Sequence, residues 1–93
     1  MECKKSTLRL HALEQMFARS ITQEEVEEVI KSGETIANYP NDKPYPSTLR
    51  LTWVNGRPIH IVIAQNTEGN CFVVTAYEQN VFLWNPDFKT KKK

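Results

Sequence analysis

TWVNGRPIHIVIA, residues Thr52–Ala64, governs how the rest of the chain is read. Asn55-Gly56 between two apolar runs is a strong signal for a two-residue β-hairpin loop, because both central residues must take positive φ. Such a loop pairs Val54 with Arg57 and Leu51 with His60. Side chains alternate along a strand, so Arg57, Ile59, Ile61 and Ile63 share one face, while Pro58, His60, Val62 and Ala64 share the other. An Ile- and Val-rich strand that begins with Arg57 and carries His60 at its middle asks what those two residues do.

Working outward, STLRLTWV, RPIHIVIA and CFVVTAY read as three antiparallel strands, joined by Asn55-Gly56 and by the polar QNTEGN. ETIANYP forms a short strand closed by Pro40, and NDKPYPS is a loop, since Pro44 and Pro46 cannot serve in the middle of a sheet. Toward the N-terminus the periodicity becomes helical. Leu10, Leu13 and Phe17, widened by Ala12 and Met16, predict a helix from about Ser6 to Arg19, with His11 on its first turn. SITQEEVEEVIKSGE predicts a second helix. Thr22 and Glu25 form a capping box, Ile21 can staple onto Val26, Val26, Val29 and Ile30 give the buried face, and Gly33 offers a left-handed stop. The order implies a single domain over residues 1–93 of α+β class, two N-terminal helices on one face of a three- to four-stranded antiparallel sheet.

If the next turn centres on Thr67-Glu68, Ile61 pairs with Val74 and Ile63 with Phe72. The face for the helices is then Ile59, Ile61, Ile63, Phe72, Val74 and Ala76. His60 lies on the opposite face, with Thr75 beside it and Tyr77 one step along. A slip of one residue in QNTEGN would exchange the faces. Leu49, Leu51 and Trp53 also fall on the His60 face, so tail, partner or substrate must cover it.

Composition sets the outer bounds. With 40% hydrophobic and 25% charged residues the chain is that of an ordinary globular protein. Its formal net charge of +1 implies that any nucleic-acid contact neutralises few phosphates and depends shallowly on salt. No apolar run approaches a membrane span, and MECKKSTLRL lacks the apolar stretch of a signal peptide, so the expected location is the cytoplasm. There Cys3 and Cys71 are expected as free thiols. Together with His11 and His60 they match no zinc spacing, so neither a metal nor a cofactor is expected.

The segment from His11 to Ala64, followed by VVTAYEQNVFLWNPDFK, resembles a prokaryotic family of unknown function, number 4258 in the domain-of-unknown-function series. The shared markers are His11-Ala12 with Arg19, Tyr39-Pro40, Pro46-Ser47, Gly56-Arg57-Pro58 with His60, and Tyr77-Glu78 with Trp84. That family is similar to the RelE-like toxins, small α+β ribonucleases of toxin–antitoxin pairs. The resemblance implies an endoribonuclease that cleaves messenger RNA at the ribosome, and a cognate antitoxin partner combining a zinc-binding segment with a helix-turn-helix.

Metal-free RNA cleavage needs a base for the 2′-hydroxyl, an acid for the leaving 5′-oxygen, and fixed positive charge on the transition state. His60 or His11 can transfer protons at neutral pH, Tyr77 can donate a hydrogen bond, and Arg57 can fork onto a phosphate if it reaches around the strand end. Arg19 and Lys89 add positive charge for substrate, and Tyr39 and Trp53 are aromatic contacts. Each has a plainer role available: an ion pair with Glu78 or another surface acid for Arg57, a cap or a loop-carbonyl bond for His11, packing for Tyr77, a lid over the sheet for Trp84, and a solvated tail for the lysine run. The alternative function is a non-catalytic module that docks a protein through the open sheet face and NYPNDKPYPS, with Tyr39, Tyr45 and Trp53 as anchors.

Overall fold

A computed structural model of the chain describes residues 2–78. The elements run β1 (Lys5–Leu8), α1 (Leu10–Ala18), α2 (Gln23–Ser32), β2 (Glu34–Tyr39), β3 (Ser47–Val54), β4 (Arg57–Gln65) and β5 (Asn70–Glu78). They form an α+β layer with a five-stranded sheet in the order β1-β5-β4-β3-β2. The sheet is mixed: β1 runs parallel to β5, and the other neighbours are antiparallel. This corrects the expected three to four antiparallel strands.

The extra strand explains a second correction. Residues 6–8, read as the start of a helix, instead belong to β1 and pair with β5, Ser6 opposite Cys71. Backbone pairing overrides the local helical pattern, as tertiary context often does. The same pairing brings Cys3 to Cys71, which form a disulfide with a Cα–Cα distance of 5.6 Å rather than the two expected thiols.

Asn55 and Gly56 take positive φ, 52° and 78°, and the hairpin pairs Val54 with Arg57 and Leu51 with His60 as the sequence implies. The next hairpin departs from its expected register. Asn66 Oδ1 accepts from the backbone N–H groups of Glu68 and Asn70, Gly69 takes φ 86°, and the loop occupies the residues between the pairs Gln65–Cys71. Ile63 therefore faces Val73, and a bulge follows, so that Ile61 faces Ala76. The slip moves Cys71 and Val73 onto the helix-covered face and takes Phe72 and Val74 off it, while the bulge restores Ala76.

Ile59, Ile61, Ile63, Cys71, Val73 and Ala76 pack with Val26, Val29 and Ile30 of α2 and Ala12 and Met16 of α1. Full burial of each central isoleucine contributes about 1.5–3 kcal/mol. The capping box is present: Glu25 N–H donates to Thr22 Oγ1 at 3.1 Å, and Thr22 N–H donates to Glu25 Oε1 at 2.9 Å. Helix α1 is rotated relative to its sequence reading. Ala12 and Met16 face the sheet, whereas Leu10 and Phe17 are 71% and 91% exposed and Leu13 is also exposed. Small Ala12 lets the helix lie close over β5, and the larger apolar residues are left outside.

Gly33 ends α2 in extended backbone, φ −70° and ψ 157°, not the expected left-handed stop. A Cβ there would collide with the carbonyl oxygen of Val29 and lie 3.2 Å from that of Leu51. Glycine is required by close approach, not by φ. On the sheet face away from the helices, Leu49 and Leu51 form a smaller cluster with Ile36, Ala37 and Val62. Tyr45, from the Pro-rich loop, stacks on Phe72 with centroids 5.7 Å apart. Among the described residues no helix is long and apolar enough to cross a membrane.

Candidate functional site

Because Ile59 and Ile61 point to the helices, alternation sends His60 to the opposite face, near the centre of the sheet. It is fully buried. The register slip and the bulge together change its cross-strand neighbour: Tyr77, not Thr75, lies directly opposite, and Thr75 faces Val62. The two rings meet edge to face, with centroids 5.8 Å apart and planes at 74°. Burial pushes the Tyr77 phenol above its ordinary pKa, and the electrostatic influence of Tyr39 adds to the shift. Tyr77 therefore stays protonated through neutral pH and is suited to donate a hydrogen bond, not to act as a base.

Trp53 shares this face and is half exposed, and Tyr39 closes β2 at the same side of the sheet. The structure thus gathers four of the sequence-selected residues, His60, Tyr77, Tyr39 and Trp53, on the surface the helices leave uncovered.

Arg57 belongs elsewhere. Its Nε donates to Glu78 Oε2 at 3.0 Å, Nη1 donates to the Ser20 carbonyl at 3.2 Å, and Nη2 donates to the Arg19 carbonyl at 2.9 Å. Glu25 Oε2 lies 3.5 Å from Nη1. The guanidinium clamps the start of β4 to the turn between α1 and α2, where Ser20 holds φ 54°. The pairing with Glu78 is the plainer role open to it from sequence. Arg19 contributes its carbonyl to the clamp and is itself exposed. His11 is exposed on α1, across the sheet from His60, so the two histidines do not meet. Lys89, Trp84 and the lysine run lie outside the described residues.

Sequence reasoning missed two arginines. Arg50 is buried on the helix side of β3, where Nε donates to the Val29 carbonyl at 3.4 Å, Nη1 to Thr35 Oγ1 at 2.6 Å, and Nη2 to the Gly33 carbonyl. These bonds satisfy the carbonyl end of α2, whose dipole favours a cation. Burial lowers the Arg50 pKa. A lone arginine inside an alternating strand after a helix was the available signal. The second is Arg9, whose guanidinium carbon lies 4.8 Å from the Phe72 ring centroid. No pattern announced it, because the contact depends on β1.

Among the described residues, no group of three or more His, Cys, Asp or Glu side chains is placed to hold a metal ion. Comparisons with curated proteins and with solved structures yield no match. A family model described as a domain of unknown function, DUF4258, matches residues 8–78. That span covers both helices, β2–β4, all of β5 and the end of β1, and the chain belongs to the DUF4258 family.

Proposed function

We propose that this chain is a metal-independent endoribonuclease of the RelE-like toxin kind, acting on messenger RNA at the ribosome and held in check by a zinc-binding, helix-turn-helix antitoxin. One observation carries the reading: His60 and Tyr77 face each other in register on the sheet surface the helices leave uncovered, with Tyr39 acting on Tyr77. In the mechanism, His60 takes the 2′-hydroxyl proton as the 2′-oxygen bonds to phosphorus. The phosphorus–5′-oxygen bond breaks to leave a 2′,3′-cyclic phosphate, and protonated Tyr77 gives its proton to the departing 5′-oxygen and regains one from His60. Arg57, committed to its clamp, shapes the turn instead of gripping phosphate. RNA must displace whatever covers His60 before chemistry starts.

The test is primer extension on a reporter message in cell-free translation, with wild type, His60→Asn and Tyr77→Phe. New stops with wild type, lost by at least tenfold in both variants while their circular dichroism is unchanged, support the assignment. Stops that persist in His60→Asn remove His60 from the chemistry.

A second reading, a non-catalytic protein-binding module, draws support from the full burial of His60 and from the exposed stripe Leu10, Leu13 and Phe17 on α1. Contiguous exposed apolar residues of this kind often mark a protein contact. Absence of new stops with wild type favours it.

A further inference from the structure

We propose that the hollow between the Pro-rich loop and strands β4 and β5 is a nucleotide subsite that seats one base and its phosphate. For its substrate class the proposal rests on the RNA-directed reading above. The cavity is about 290 Å³, with Val62, Ala64 and Val74 as floor, Tyr45 as wall, and Arg9 and Lys43 at its edge.

Four features fit a nucleotide. The floor is apolar and lies on strand surface, which suits the face of a planar base. Tyr45 is held by its near-parallel stack on Phe72, with an interplanar angle of 14°. Arg9 lies over Phe72, a contact that fixes the guanidinium plane and leaves its N–H edge for an anion. Asp42 also lines the hollow; its Oδ2 accepts from Ser47 Oγ at 2.5 Å, and its remaining capacity suits an exocyclic amino group. Two cations against one carboxylate favour a ligand that carries both a phosphate and an amino-bearing base.

Position ties the subsite to the ring pair. Val62 and His60 project from the same face of β4 two residues apart, a strand distance of about 7 Å. A strand of RNA with one base in the hollow therefore carries its neighbouring phosphodiester toward His60. The register that sets Val73 opposite Ile63 places Val74 on the floor.

The experiment is a ¹⁵N NMR titration of the full chain with adenosine 5′-monophosphate, adenosine, inorganic phosphate and an adenine RNA hexanucleotide, each separately. The variants are Arg9→Gln, Lys43→Gln and Val74→Phe, all at exposed positions. The monophosphate is expected to shift amides at 62–64 and 74 and to bind at least tenfold tighter than adenosine or phosphate. Each cation variant should weaken it by about tenfold, and Val74→Phe, which fills the hollow, should abolish it. Tighter binding of the hexanucleotide identifies RNA as the source of the nucleotide, and equal binding identifies the free mononucleotide. No shift at these residues, or equal shifts with phosphate alone, overturns the proposal. RNA cleavage without nucleotide binding here leaves the ribonuclease reading standing and removes the subsite. Nucleotide binding here without cleavage does the reverse.

Discussion

On the helix-covered side of the sheet, Arg50 and Arg57 commit their N–H groups to carbonyls, a hydroxyl and carboxylates. On the other side, His60 and Tyr77 meet ring to ring, and Arg9 and Lys43 edge an apolar hollow. Both sides mix polar and apolar groups, but they use them differently. The first ties secondary-structure ends together. The second brings together proton-transferring, aromatic and cationic groups that the fold does not need for its own helix ends. Arg57 teaches the distinction, since a basic residue near a histidine in sequence turns out to serve the opposite side.

The comparison can be tested from its strongest link downward. Cys71 belongs to the helix-side core, and its bond to Cys3 spans a sequence separation of 68. Cys3→Ser should cost about 4 kcal/mol in urea unfolding, the loop-entropy expectation for a loop of that size. A loss below about 1 kcal/mol would show that the cross-link adds little constraint to the unfolded chain. Arg50→Met should cost about 2–3 kcal/mol, because it takes the guanidinium donors from the Gly33 carbonyl and the Thr35 hydroxyl and leaves the Val29 carbonyl with the Gly33 N–H alone. An unchanged midpoint would mean those oxygens find water, and that side would no longer be the one where charge is structural.

Arg57→Gln should cost about 1 kcal/mol, the scale of a partly exposed ion pair with added carbonyl bonds. RNA cleavage per folded molecule should be unaltered. A cleavage defect without loss of stability would return Arg57 to the chemistry and erase the division between the two sides.

The smallest effect concerns pH. The Tyr77 phenol titrates higher in the folded chain than in the unfolded one. Above the unfolded value near pH 10 the unfolded state therefore releases more protons, and stability contributed by neutral Tyr77 falls as pH rises through the folded pKa. Below pH 10 the contribution is fully present. Wild type should lose stability more steeply than Tyr77→Phe between pH 9.5 and about 11. Parallel curves would show the hydroxyl equally hydrated in both states.

Local chemistry made much of this legible. Asn55-Gly56 allowed only one tight hairpin, Thr22 and Glu25 announced the start of α2, and alternation placed His60 and Arg57 on opposite faces. What escaped depends on contacts distant in sequence. Residues 6–8 look helical until β5 offers them a backbone partner, and the disulfide and Arg9–Phe72 contact depend on that pairing. The bulge escaped because one extra residue in β5 leaves no compositional mark, yet it decides that Tyr77 faces His60. On α1, periodicity gave the spacing of the apolar residues but not which side would face inward, and Ala12 won over Phe17.

The bond between Cys3 and Cys71 also gives the molecule a closed covalent circuit. Both helices and the four complete strands β1–β4 lie on its circumference, together with the Pro-rich loop. A protease that severs this loop opens the circuit without releasing either piece, so the two fragments travel as one species on a gel until a reductant is added. Only a cut outside the ring, or a second cut within it, sheds a peptide under oxidising conditions.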